Sequence, residues 1–341
     1  MYVRRGISAR RLFHGSWPVL LGTAVWSAIV VYLNEFLGLH FISIPIAPVT
    51  VIGIAVSLYL GFKSTSAYNR WWEARQLWGG IINRSRDWGS SVFSLIYATG
   101  RELDPAVRVE LIERHLAWVN ALAYQLRKTS RFRRVDSGHL FGRRIAAEAQ
   151  FHQTPDCYRA CLSEEEAAAV EAKANIATDL LRRQGERLRA LAEEGFLDSY
   201  RQVAMMGVVA ACYDLQGSCE RIKNTPFPRQ IANFGLIFTW VFIFLLPLAL
   251  VDIFESETGL HNLSIAASLE YVLVMVPFTV LISWVFYIME KVSDSTEDPF
   301  EGAATDVPIS ALCRVIEIDL RQMTGDVEVP EPLEPVEGVL Y

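Results

Sequence analysis

Two long stretches of this 341-residue chain contain no positive charge. Residues 16–62 hold no Lys or Arg and one acid, Glu35, and residues 230–269 again hold no Lys or Arg. Water-soluble folds spread charge over every surface element, so these gaps exclude an ordinary soluble domain for those parts of the chain. Cysteine is scarce too. The five thiols (Cys157, Cys161, Cys212, Cys219, Cys313) lie outside the apolar stretches, and a reducing compartment is expected. Cys157 and Cys161 have helical spacing, but no second Cys or His pair completes a zinc set. Enzyme signatures are also lacking: there is no Gly-rich phosphate loop, no HExxH and no GxSxG, and the six histidines are scattered. No catalytic residue, metal or cofactor is expected.

What the chain has is apolar length. With 52% hydrophobic residues and a mean hydropathy of +0.23, much of it is expected to face lipid. A hydrocarbon core about 30 Å thick takes roughly 20 helical residues. Four segments reach that length, at 17–37, 44–62, 230–251 and 269–288. The first is too long for a signal-peptide core and lacks a small-x-small cleavage site, so it reads as a retained span. Apart from Glu270 at a span edge, the spans show no buried acid or base of the kind that couples transport to protons.

Lys and Arg mark the cytoplasmic side of short loops. The link at 38–43 has neither, and the loop at 252–264 carries three acids and no base, so both lie outside. The N-terminus, the middle region and the C-terminus then lie in the cytoplasm, giving a multi-pass protein of the inner (plasma) membrane. Four parts follow: residues 1–62 with spans one and two, a cytosolic helical region at 63–227, spans three and four at 228–290, and a cytosolic C-terminal segment at 291–341. Arg127, Lys128, Arg131, Arg133, Arg134, Arg143 and Arg144 form a basic run in the middle. No aromatic-interleaved motif accompanies it, so it reads as a solvated positive-inside face and not as a nucleic-acid patch.

The middle region has a helical pattern. In 107–127, Leu111, His115, Val119 and Leu122 share one stripe, with His115 a core histidine. Ser163-Glu-Glu-Glu166 is a capping box that opens an Ala-rich helix to about Leu191, and a further helix covers about 198–223. Only residues 132–151 are ambiguous between helix and strand. Pro226 and Pro228 mark a break before span three, Pro247 and Pro277 fall inside spans, and the acidic, Pro-rich tail at 327–341 is expected to be extended or disordered. The fold class is all-α: four transmembrane helices and a helical cytosolic bundle.

Within the second span, Ile54, Leu58 and Phe62 recur every four residues on one stripe. Such a stripe fits lipid-facing or core packing, and it also fits the lining of a pore. Gly53, Ser57 and Gly61 occupy the other face and permit close helix approach. Ser66, Asn69 and Glu73 extend the Phe62 stripe, as a polar vestibule below a hydrophobic constriction would. One copy of this helix encloses nothing, so a pore needs several chains around an axis.

Tyr68-Asn-Arg70-Trp71-Trp72-Glu73-Ala-Arg75, followed by Leu77-Trp78-Gly79, resembles the characteristic motif of the bestrophin family in its bacterial and plant branch. Cys219-Glu-Arg-Ile222 with Thr225-Pro226-Phe-Pro228, Glu297-Asp298-Pro299-Phe300, and Asp306-Val-Pro308 with Cys313 and Ile316-Glu317 agree in order, so the likeness runs from Arg10 to Met323. The resemblance implies a homopentameric channel in the lipid bilayer, passing inorganic ions through a neck at Ile54, Leu58 and Phe62. It also implies a cytosolic aperture at Val203, with Met206 one turn on; the vestibule expected from the stripe itself is lined by Ser66, Asn69 and Glu73. Arg70, Trp71, Trp72, Arg75, Trp78, Pro299 and Phe300 are then structural anchors. Animal members bind calcium through a run of acids after the Pro-Phe turn. Here Glu301 and Asp306 stand apart, so calcium activation is not expected. The expected cargo is chloride and other monovalent anions. A sodium-permeable channel of the same fold is the alternative, and a carrier or a membrane signalling scaffold is the reading from another class.

Overall fold

A computed structural model describes residues 1–4, 6, 9–128, 153–257, 265–326 and 328–341, and their side chains except at 9–12, 14, 35, 255–257 and 265–272. The ambiguous stretch at 132–151, most of the basic run and the side chain of Glu270 lie outside the described residues. Among the described residues ten α-helices follow in order: α1 (Ala9–Glu35), α2 (Ile46–Leu95), α3 (Pro105–Arg127), α4 (Asp156–Arg159), α5 (Glu164–Glu171), α6 (Ile176–Glu193), α7 (Ser199–Asn224), α8 (Arg229–Glu257), α9 (Ile265–Thr296) and α10 (Ile309–Thr324). Among the described residues there is no strand, only isolated β-bridges.

Local chemistry explains the helix limits. Asp198 caps α7 by accepting from the Arg201 amide at 2.9 Å, and Ser163 caps α5 by accepting from Glu166 at 3.2 Å. The Ala-rich helix expected to run to Leu191 is in fact two helices. Asn175 accepts from the Thr178 amide at 3.0 Å and starts α6, because a side chain that offers its own backbone bond favours a cap over helix continuation. The 50-residue α2 joins the second span and the charged stretch after it in one helix, since no proline follows Pro48 before its end.

The chain divides into two compact units. One comprises Arg5–Asn69 and Phe227–Glu297, with α1, the first part of α2, α8 and α9. Among the described residues four helices are long and apolar enough to cross a membrane, at Gly15–Asn34, within His40–Leu95, at Arg229–Phe254 and at Leu273–Thr296. In this unit Val56, Leu60, Phe242 and Leu246 pack together, as do Val30, Val31, Val251 and Met275. Trp26 stacks on Phe244 at 4.7 Å and donates its indole N–H to the Phe244 carbonyl at 3.0 Å. Thr23, Ser27 and Thr239 return their hydroxyls to carbonyls one turn back at 2.7–2.8 Å, which satisfies them where lipid offers no partner.

The other unit comprises Met1–Arg4, Arg70–Pro226 and Asp298–Tyr341. Its centre is α3, surrounded by α4, α6, α7 and α10. The single stripe expected for α3 understates its burial. Ile112, Leu116, Trp118 and Ala121 are as fully buried as Leu111, Val119 and Leu122, and Arg114 is accommodated by pairing with Glu166 at 2.6 Å and Glu110 at 2.8 Å. Of the two states expected for the tail, extended or disordered, the described residues 328–341 take the first: they form no helix and are tied down at their end. Val339 and Tyr341 are buried, the Val3 amide donates to the Gly338 carbonyl at 3.0 Å, and the Ala311 amide donates to the Tyr341 carbonyl at 2.7 Å. These partners lie at the far end of the chain and at the start of α10, where tail composition gives no hint of them.

Candidate functional site

The stripe on α2 is the largest unpartnered apolar feature of the second span. Ile54 is 57% exposed, Leu58 61% and Phe62 73%, while Val56 and Leu60 on the opposite face are buried. Three large apolar side chains over two turns stay uncovered by their own chain, so lipid, another copy or a narrow passage must receive them. Gly53 belongs to the packed face: a Cβ there would come within 2.8 Å of the Phe242 ring, so the close approach expected of it is present. Ser57 is half-buried and donates to the Gly53 carbonyl at 2.8 Å. At Gly61 a Cβ would meet nothing within 4 Å among the described residues of the same chain.

Further along α2, Ser66 and Asn69 are exposed and Glu73 is half-buried. Arg221 of α7 donates to Glu73 at 2.6 Å, so this acid does not present an uncompensated charge. The turn between them is tied down by Arg70. Its guanidinium donates to the carbonyls of Ile222 at 2.5 Å and Thr225 at 2.6 Å, groups that the C-terminal end of α7 leaves without helical partners. Asp298 lies 3.7 Å from the same guanidinium. Trp71 donates its indole N–H to the Thr305 carbonyl at 3.0 Å, Trp72 is exposed with its ring 6.3 Å from that of Trp71, Arg75 is half-buried and Trp78 is fully buried. Phe300 is buried as well, and the Pro299 carbonyl accepts from the Val307 amide at 3.3 Å.

On α7, Val203 is 72% exposed and Met206 38%, the latter with its thioether over Gly185 of α6. Spacing puts Val203, Gly207, Ala210, Asp214, Gly217 and Arg221 on one exposed face of the helix. Glu301 is engaged by Lys223 at 2.8 Å. Asp306 accepts from the amides of Gly302 at 2.6 Å and Ala303 at 2.9 Å, beside Arg127 at 3.7 Å, and burial pushes its carboxyl up to about 6. Among the described residues no cluster of three or more His, Cys, Asp or Glu is arranged to hold a metal ion.

One feature escaped the hydropathy pattern. Just past the ends of the second and fourth apolar segments as read from sequence lies a buried ionisable pair: Lys63 Nζ is 3.0 Å from Glu290 Oε1 with both side chains almost inaccessible. Lys63 ends an apolar run and so resembles a positive-inside flank. The helical period was the available signal, since Val56, Leu60, Lys63 and Ala67 share one face.

Four helices apolar and long enough to cross a membrane, with no strand among the described residues, define a helical, polytopic integral membrane protein. The chain belongs to the bacterial/fungal bestrophin family, whose model matches residues 10–322. A voltage-dependent anion channel-forming protein of Mesorhizobium japonicum is 29% identical over 340 residues, covering 100% of this chain and 93% of the relative. The voltage-dependent anion channel-forming protein YneE of Escherichia coli is 28% identical, covering 96% and 94%. The crystal structure of a bacterial bestrophin homologue from Klebsiella pneumoniae superposes with a TM-score of 0.72 at 27% identity, over 91% of this chain and 98% of that one.

Proposed function

We propose that this chain forms a homopentameric channel in the inner (plasma) membrane and passes chloride and other monovalent anions passively. The observation that carries the reading is the exposed α2 stripe in a family whose relatives bear the name of anion channel-forming proteins. Copies arranged around an axis would bring Ile54, Leu58 and Phe62 into three stacked apolar rings, and such constrictions gate by dewetting. Ser66, Asn69 and Glu73 would line the vestibule beneath, with Arg221 offsetting the Glu73 charge and so favouring anions over cations. Val203, more exposed than Met206, is the better candidate for a second aperture. The cytosolic region, with both termini, would lie on the side of the vestibule.

The reading is tested with purified protein in planar bilayers under asymmetric sodium chloride. The reversal potential should move toward that of chloride, and Leu58→Ala should raise open probability about tenfold by widening the neck. A reversal potential near that of sodium would replace anion with cation permeation. Silence of both proteins would sink the channel itself.

A further inference from the structure

Between residues 46 and 69, α2 carries a single charged side chain, Lys63, and it points into the packed face. Its stem passes Gly235 of α8, where a Cβ would come within 3.3 Å of the lysine Cδ. Its ammonium meets Glu290 of α9 at 3.0 Å, and the second carboxylate oxygen of Glu290 is buried without a hydrogen-bond partner. The pair therefore joins three helices while its acceptor side is only half satisfied.

A buried ion pair of this kind contributes little to stability, because desolvation offsets the Coulomb attraction and an apolar pair of similar volume serves as well. What it supplies is direction. Both faces of α2 in the span are apolar, with Val56 and Leu60 on one and Ile54, Leu58 and Phe62 on the other. Burial of apolar area alone distinguishes these two rotations of the helix poorly. A lysine placed on one face, with one carboxylate waiting for it, separates them, since the alternative rotation leaves two unpaired charges in an apolar setting. Phe62 immediately precedes Lys63 and lies about 100° around the helix from it.

We propose that the Lys63–Glu290 pair is the rotational pin of α2, a positioning device that aims Phe62 away from the helix packing and at the neck. The proposal rests on the neck reading given above for what Phe62 then does.

The experiment uses the full chain, with oligomer size checked by light scattering, and compares Glu290→Gln, the volume-keeping double variant K63M/E290L and the charge exchange K63E/E290K. Two readouts are taken: single-channel recordings, and the rate at which a charged thiol reagent labels Phe62→Cys introduced into each background, above the labelling of the native cysteines. Glu290→Gln and K63M/E290L should shift open probability or conductance by about fivefold or more and change the labelling rate by a similar factor, while K63E/E290K returns both to within about twofold. A K63M/E290L protein indistinguishable from wild type would overturn the proposal, because packing alone would then set the rotation. So would an exchange variant as disturbed as Glu290→Gln. If Glu290→Gln fails to assemble, the two double variants decide the same question. Silent recordings from wild type and Leu58→Ala count against the channel reading only, since the labelling rates still report whether the pin sets the rotation.

Discussion

Within the span the two faces of α2 are both apolar, yet they have opposite fates. One carries Val56, Leu60, Ala67, Ala74, Trp78, Ile81, Trp88 and Val92, all buried, while the other carries Ile54, Leu58 and Phe62, all more than half exposed. In a soluble helix the apolar stripe identifies the buried face, because water penalises the alternative. In a span that inference fails, since lipid accepts an apolar face as readily as a core does. What distinguishes the faces here is shape and pairing: Gly53 lets Phe242 approach, Lys63 meets Glu290, and Ser85 meets His115. The face without such fittings is the one left for another copy, for lipid or for a passage.

The largest effect expected from testing this contrast lies on the fitted face. Trp88 is buried, donates to the Leu111 carbonyl at 3.2 Å and stacks on His115 at 5.8 Å between centroids. Trp88→Ala should cost about 3 to 5 kcal/mol, read as a loss of denaturant resistance in detergent. A loss under about 1 kcal/mol would show that this face is not the stabilising one.

Next in size is a pH effect at the same contact. His115 hydrogen-bonds to Ser85 at 2.9 Å and lies against Trp88 and Trp118, and burial holds its imidazole down to about 3, well below the ordinary 6.5. The unfolded chain takes up this proton near 6.5 and the folded chain does not. The neutral histidine therefore stabilises the fold fully above about pH 6.5, and that contribution is lost as pH falls toward 3. From about pH 7.5 to about pH 5 the loss should reach about 2 kcal/mol, and His115→Asn should flatten the dependence. An unchanged slope in the variant would assign the acid sensitivity to other groups.

How much of this was legible in sequence depends on whether the signal was local. Four long apolar segments, the cap at Ser163, the start of a helix near Asp198 and the order of the bestrophin motifs are written in neighbouring residues and appear as read. The break at Asn175 was missed because alanines on both sides argue for continuation and only a side-chain bond argues against it. The burial of α3 on all sides was missed because Arg114 marks a wet face until Glu166, 52 residues away, neutralises it. Lys63–Glu290 is 227 residues apart in sequence, and each partner alone looks like the charged end of a span. The stripe at Ile54, Leu58 and Phe62 was visible by period, but period could not say which way it turned.

Smaller effects separate the glycines. Gly53→Leu pushes against Phe242, itself packed on Phe286 at 4.4 Å, and should cost about 1 to 3 kcal/mol. Gly61→Ala meets open space and removes backbone freedom from the unfolded chain, so it should stabilise by about 0.5 kcal/mol. Equal effects at the two positions would show that the close packing of Phe242 on Gly53 carries no weight.

The smallest expected change in stability is at Leu58, and it is the most informative. Leu58 is 61% exposed on its own chain, so its truncation removes few intrachain contacts. Leu58→Ala should leave the unfolding free energy of the detergent-solubilised protein within about 0.5 kcal/mol of wild type. The same substitution at a buried leucine costs about 2 to 5 kcal/mol. If Leu58→Ala falls in that higher range, the stripe is a packed interface between copies and has no open lumen to line. If stability holds while conduction changes, the exposed face serves the passage of ions, and the asymmetry between the two faces of α2 is functional.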